Sequence, residues 1–125
     1  MARILVIDDD RSILELLRSL LTLEGHEVES AADGREGLRR FREEPADLVV
    51  TDLMMPEVEG IEMIRTLRAI DAEVPILAMS GDAGVDRSGL LRAARHLGAS
   101  RTLPKPFANQ ALCDAIRELL EKRDA

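Results

Sequence analysis

The feature that most limits the fold is an alternation of five strand-like segments with five stretches of helical hydrophobic spacing. The predicted strands span residues 4–7, 28–31, 48–51, 75–79 and 100–103. After the first of them, apolar residues recur at helical spacing from Ile13 to Leu21, and Gly25 supplies a stop. This order predicts an α/β fold, a doubly wound five-stranded parallel sheet with helices on both faces.

Two helix starts are also predicted from short polar patterns. Ser12 and Glu15 have the spacing of a capping box at the start of the first helix. Asp33 is placed to cap the second helix, because its side chain can accept a hydrogen bond from a free backbone N–H of the first turn. These patterns place the start of the first helix near residue 12 and the start of the second near residue 33.

Composition sets further bounds on the function. We predict one domain over residues 1–125, with 121–125 as a tail or the start of a linker. The net charge of −7 and the absence of Trp and Tyr argue against direct nucleic-acid binding. No apolar run approaches the roughly 20 residues of a membrane span. A single cysteine, Cys113, excludes an internal disulfide, so we expect a cytoplasmic protein.

Polar residues follow four of the predicted strands. In parallel sheets, ligands bind outside the carboxyl ends of the strands, so these residues should meet at one edge. They are Asp8, Asp9 and Asp10 after the first strand, Asp52 after the third, Ser80 after the fourth and Lys105 after the fifth. Adjacent carboxylates suit Mg²⁺, and a hydroxyl with an ammonium suits phosphoryl oxygens. An aspartate can also be the nucleophile, so the set predicts phosphoryl transfer to a carboxylate.

The lysine in this set stands out because the chain has 15 arginines and only two lysines, Lys105 and Lys122. In such a composition, a lysine at a strand end indicates that a compact point charge is needed there. The following residue, Pro106, allows either peptide isomer, and the sequence does not decide between them.

Two families fit these residue types. Asp8, Asp10 and Ser12 match the opening motif of phosphatases of the haloacid-dehalogenase type, whose nucleophile is an aspartate after the first strand. That family also needs an acidic pair after the lysine, following another strand. Here only a helix follows Lys105, with Asp114 in its middle, so this small phosphatase is the alternative and not the favoured reading.

The chain resembles the receiver domains of two-component response regulators along nearly its whole length. The motifs that carry the resemblance are ILVIDDD, AADGREGL, DLVVTDLMMPEVEG, PILAMSG and GASRTLPKPF, in that order and at suitable spacing. Each motif alone is weak, but five in register are highly specific. The resemblance implies a flavodoxin-like (βα)5 fold, a Mg²⁺ cofactor and a role as a signalling phospho-acceptor that is no general enzyme.

The resemblance also implies a role for each acidic residue. Asp52 is expected to be the phosphorylation site. Asp9 is expected to bind Mg²⁺ directly together with Asp52 and the backbone carbonyl of Met54, and Asp8 to act through water. Asp10 is instead expected to begin the first helix, where the helix dipole stabilises its charge.

The phosphoryl group is expected to contact Ser80 and Lys105, with Ser80 and Thr102 as the switch residues. Ser80 keeps the hydroxyl of the commoner Thr, and Glu59 stands where the family usually has Asp. Thr102 replaces the usual Tyr or Phe, and the stretch from Ser80 to Lys105 looks a few residues long. We therefore expect activation to order residues 81–89, with Thr102 nearly passive.

The implied partners are a sensor histidine kinase or phosphotransfer protein, and an output domain or partner. The family's output surface is formed by the fourth helix, fifth strand and fifth helix. A binding module that no longer takes phosphate is the competing function, against which the intact Asp9, Asp52, Ser80 and Lys105 count.

Overall fold

A computed structural model describes residues 2–53, 59–80 and 87–124 of the chain. The strands are β1 Arg3–Ile7, β2 Glu27–Ala31, β3 Leu48–Asp52, β4 Ile76–Ser80 and β5 Arg101–Pro104. The helices are α1 Arg11–Leu23, α2 Gly34–Glu43, α3 Glu59–Ile70, α4 Arg87–Leu97 and α5 Asn109–Asp124. Strands and helices therefore alternate as predicted.

The sheet is parallel throughout, with the strand order β2-β1-β3-β4-β5. This confirms the predicted fold class and the flavodoxin-like order. The chain moves outward from β1 to β2 and then returns past β1 to β3, so the order reverses between β1 and β3. In open α/β sheets such a reversal opens a crevice at the carboxyl ends of the strands.

The sheet separates two hydrophobic cores. Leu5 and Ile7 of β1 point into the core shared with α2, α3 and α4, whereas Ile4 and Val6 point into the core shared with α1 and α5. The helices contribute Phe41, Met63, Ile64, Leu67 and Ala94 to the first core and Leu17, Leu21, Leu112 and Ile116 to the second. Successive residues of a strand face opposite sides, so β1 is buried on both faces.

Helix α1 begins two residues before the predicted capping box would start it. Asp10 is the N-cap, and its side chain accepts a hydrogen bond of 2.9 Å from the backbone N–H of Ser12. The capping box of Ser12 and Glu15 is therefore wrong, because Asp10 already caps the first turn. The expected placement of Asp10 at the helix start is confirmed. Asp33 caps α2 as predicted, by accepting from the N–H of Glu36.

Three predictions from the sequence are not settled by the residues that the structure describes. Residues 121–124 continue α5, and a linker starting there remains a prediction. Met54 lies outside the described residues, as do residues 81–86 of the segment 81–89 that activation is expected to order. In the part of the chain that the structure describes, no helix combines the length and the apolar character needed to cross a bilayer.

Candidate functional site

Four strands deliver one polar residue each to the crevice beside the strand reversal. Asp8 follows β1, Asp52 ends β3, Ser80 ends β4, and Lys105 follows β5. Asp8 and Ser80 are completely buried, and Asp52 is 3% exposed. Polar side chains are buried at such cost only when partners compensate them. The predicted convergence of these strand ends at one edge is therefore seen for all four residues.

Lys105 makes the contacts that join the strand ends. Its Nζ lies 2.8 Å from Oδ2 of Asp8 and 3.6 Å from Oδ2 of Asp52. Its backbone N–H donates to the carbonyl oxygen of Ser80 at 2.7 Å, which extends the β4–β5 pairing to the site. The Lys105–Pro106 peptide bond, which the sequence left open, is cis. One lysine therefore bridges the ends of three other strands.

The carboxylates form a group that fits a divalent cation. One oxygen each of Asp8, Asp9 and Asp52 lies within 4.8 Å of the others, and Asp9 is exposed while the other two are buried. Carboxylate oxygens are the donors that Mg²⁺ prefers, and Mg²⁺ keeps several waters, which an open side allows. The donor set therefore fits the ion that the sequence predicts.

The buried charges shift one another's titration. Burial raises the pKa of Asp8 above its ordinary value of 3.8, and the charge of Asp52 adds to this, whereas Lys105 and the backbone N–H of Asp10 oppose it. Burial alone lowers the pKa of Lys105, but the hydrogen bond to Asp8 and the charges of Asp8 and Asp52 outweigh it, so this pKa lies above 10.5. At neutral pH Lys105 is therefore a cation held against carboxylates.

One positioning contact was missed at the sequence level. The backbone N–H of Asp10 donates to Oδ1 of Asp8 at 2.9 Å, while the other oxygen of Asp8 accepts from Lys105. Both oxygens of this buried carboxylate are thus fixed. The bond closes an Asx turn, in which an Asp side chain accepts from the backbone two residues on, and Asp8 within an Asp-rich turn could have signalled it.

Three other residues named in the sequence analysis, Thr102, Glu59 and Asp114, have the following places in the structure. Thr102 is half-buried on β5 and pairs with Ala78 of β4. Both residues lie two positions before the last residue of their strand. Glu59 is the first residue of α3. Asp114 lies on α5, where it accepts from Gln110 and Arg117, so the structure does not bring it to the crevice as the phosphatase alternative requires.

Comparison with known proteins decides between the families. The model of the response regulator receiver domain matches residues 4–117. The chain belongs to this family. The match includes residues of all five strands and the strand-end residues Asp8, Asp52, Ser80 and Lys105, which excludes the haloacid-dehalogenase alternative as the family.

The relatives of this receiver domain are longer proteins. Response regulator MprA of Mycolicibacterium vanbaalenii is 43% identical over 121 residues, which cover 96% of this chain and 51% of the relative. The protein of the same name from Mycobacterium ulcerans is 41% identical, with 96% and 50% covered. The chain spans about half the length of these curated relatives.

Solved receiver domains have the same fold over nearly their whole length. A receiver domain protein from Clostridium thermocellum superposes with a TM-score of 0.89 at 33% identity, over 99% of this chain and 98% of that one. A CheY-like receiver domain protein from Methanospirillum hungatei gives 0.89 at 30% identity, over 99% and 97%. NtrX from Brucella abortus gives 0.91 at 26% identity, but only 28% of that chain is covered.

Proposed function

We propose that this receiver domain accepts a phosphoryl group on Asp52 from the phosphohistidine of a sensor histidine kinase or a phosphotransfer protein. The observation that carries the proposal is the environment of Asp52, which is 3% exposed and lies 3.6 Å from Nζ of Lys105. Its oxygens also belong to the carboxylate group with Asp8 and Asp9. A nucleophile, a cation and a metal-binding group are thus within one crevice.

The chemistry needs few protein groups. A carboxylate oxygen of Asp52 attacks phosphorus, the bond between phosphorus and the donor imidazole nitrogen breaks, and the imidazole keeps the electron pair and takes up a proton. The Lys105 ammonium and the Ser80 hydroxyl donate to the phosphoryl oxygens, where negative charge concentrates. The domain then catalyses only its own phosphorylation and dephosphorylation.

Mg²⁺ is proposed as the cofactor, held directly by Asp9 and Asp52, through water by Asp8, and by the backbone carbonyl of Met54, which lies outside the described residues. When bound, the ion neutralises charge on the phosphoryl oxygens. Asp9 is the exposed member of the group, so it is the carboxylate through which a hydrated ion can enter. The buried Asp8 already has both oxygens engaged, which suits an indirect role.

An output domain or partner is proposed on the face of α4, β5 and α5, in a cytoplasmic protein. The relatives are about twice as long as this chain, which supports an output domain in the whole protein. Ser80 and Thr102 occupy the proposed switch positions, with Thr102 expected to be nearly passive, and the expected ordering of residues 81–89 upon activation remains a prediction. Hydrogen exchange with and without beryllofluoride would test it, with Ser80→Ala expected to abolish the change and Thr102→Ala to leave it.

The experiment for the acceptor is incubation with acetyl phosphate and Mg²⁺, followed by intact mass and site mapping. We expect one phosphoryl group on the wild type, none on Asp52→Ala, and none in EDTA. Asp114→Ala, which removes a half-exposed carboxylate on α5, is the matched control and should be labelled normally. Label retained by Asp52→Ala on Asp8 or Asp10 would favour phosphatase chemistry, and an unlabelled wild type would favour the binding module.

A further inference from the structure

One guanidinium makes four hydrogen bonds at the end of the sheet opposite the site. Arg68, near the end of α3, donates from Nε to the carbonyl of Gly98 at 3.0 Å. Its Nη1 donates to the carbonyls of Val74 at 2.6 Å and Asp71 at 3.2 Å. Its Nη2 donates to Oγ of Ser100 at 3.3 Å. Two connections of the chain, the one between α3 and β4 and the one between α4 and β5, are thereby joined by one side chain.

Ser100 carries this contact into the sheet. Its hydroxyl accepts from the backbone N–H of Ile76 at 3.1 Å, and its own N–H donates to the carbonyl of Ile76 at 2.8 Å. These bonds fix the start of β5 against the start of β4. Strand β5 has only four residues and lies at the edge of the sheet, where β4 is its one neighbouring strand. Arg68 therefore supports the beginning of this edge strand through Ser100.

The turn at Gly98 is shaped around the same side chain. Gly98 follows the last residue of α4 and has a φ of +128°, a value that side chains rarely allow. A Cβ there would lie 2.7 Å from Cγ of Arg68, so the backbone of the turn rests directly on the arginine stem. The N–H of Gly98 still donates to the carbonyl of Ala94, which keeps the turn continuous with the helix. Gly98, directly after α4, is thus bonded both to the last turn of the helix and to Arg68.

We infer that Arg68 anchors the carboxyl end of α4 and the start of β5, so that α4 responds to the site only by pivoting about the Gly98 turn. The two ends of α4 have different neighbours: the amino end follows β4, whose last residue, Ser80, lies in the site, and the carboxyl end is bound by Arg68. A rigid helix held at one end transmits a displacement of the other end as a rotation. The pivot rests on the proposed phosphorylation of Asp52, whereas the anchor does not.

The anchor is tested first in the unphosphorylated protein. Arg68→Met should raise amide exchange of residues 97–102 by roughly tenfold or more, because several hydrogen bonds to a charged donor are lost. Arg65→Met is the matched control on the same helix, since Arg65 is 64% exposed and, within the part of the chain that the structure describes, makes only a 3.9 Å contact with Glu62. Equal exchange in the two variants would overturn the anchor.

A conservative variant guards against loss of folding. Arg68→Lys keeps the charge and the stem but cannot donate to four acceptors in one plane, so it should raise exchange over the same residues by a smaller factor. If Arg68→Met does not fold, this variant takes its place, and wild-type exchange in it would overturn the anchor. Ser100→Ala should loosen residues 100–102 and leave Gly98 protected.

The pivot is tested by adding beryllofluoride and Mg²⁺. In the wild type, exchange should change in the first turns of α4 and stay constant at residues 97–100, and in Arg68→Met the change should reach those residues. An equal change at both ends of wild-type α4 would overturn the pivot. A wild type that shows no change even around Asp52 and Ser80 would count against the proposed function, while the comparison without beryllofluoride still decides the anchor.

Discussion

Replacing Lys105 by Met should reveal how far its charge holds the strand ends together. The change removes the ammonium 2.8 Å from Asp8 and 3.6 Å from Asp52 but keeps an unbranched side chain of similar length. With Lys105 present, the cluster of three aspartates and one lysine carries a net charge of −2, and without it −3. We therefore expect Lys105→Met to destabilise the metal-free protein.

The magnitude follows from burial. Breaking a buried ion pair by removing one partner costs about 3–5 kcal/mol. The side chain of Lys105 is 17% exposed, and Asp8 can take up a proton when its partner is lost, so the loss should lie at the lower end. We expect about 3 kcal/mol, which corresponds to a Tm lowered by about 10 °C in a domain of this size.

The pH dependence has a definite sign. The pKa of Lys105 is raised above 10.5, so its stabilisation is fully present below pH 10.5 and is lost as pH rises through the folded-state pKa. The pKa of Asp8 is also raised, so in acid the fold favours the protonated carboxyl, which needs no cation. The difference in Tm between wild type and Lys105→Met should therefore be largest near neutral pH and should narrow on both sides.

The assay is thermal unfolding in EDTA and in millimolar Mg²⁺. Mg²⁺ should narrow the difference, because a cation bound by the same carboxylates replaces the missing charge. Lys122→Met is the matched control, since Lys122 is the other lysine and is exposed on α5. A Tm unchanged by Lys105→Met in EDTA, or lowered equally by Lys122→Met, would refute the reasoning.

Three further predictions concern single residues. Asp9→Asn should weaken Mg²⁺ binding by about tenfold or more in calorimetry, because one of the two carboxylates proposed to bind the ion directly would be lost. Gly37→Ala should lower the Tm, because its Cβ would lie 2.5 Å from Cδ1 of the buried Ile7, and overpacking of about 1–3 kcal/mol exceeds the gain in helix propensity of about 1 kcal/mol. Asp10→Ala should lower the free energy of unfolding in urea by about 1 kcal/mol, because the backbone N–H of Ser12 loses its acceptor at the start of α1.

The ends of the strands could be predicted because neighbouring residues in the sequence determine them. An apolar run that leads directly into Asp8, or through Thr51 into Asp52, indicates where a buried strand ends and which residue lies at the crevice. Parallel order then brings these ends together whatever the lengths of the helices between them. The order of elements therefore predicted that Lys105 and Asp8, 97 residues apart, meet at one edge, but it did not predict the hydrogen bond between them.

Other features could not be predicted for equally physical reasons. The sequence does not distinguish Arg68 from the other arginines on helices. Three of its four acceptors are backbone carbonyls, which every residue has, so no residue type marks their positions. The start of α1 was misplaced because both Asp10 and Ser12 are residue types that cap helices well, and in the structure Asp10 is the cap. The cis bond before Pro106 depends on tertiary packing that a dipeptide does not encode.

Because the sheet divides the interior into two cores, the sequences of the two helical faces can evolve separately. Ile4 and Leu5 are neighbours in sequence, yet they belong to different cores, and among the described residues no helix contributes to both cores. Energetic effects of substitutions without shared partners tend to add. The face of α1 and α5 and the face of α2, α3 and α4 can therefore drift independently, so that each can acquire a new binding partner while the crevice between them keeps its chemistry.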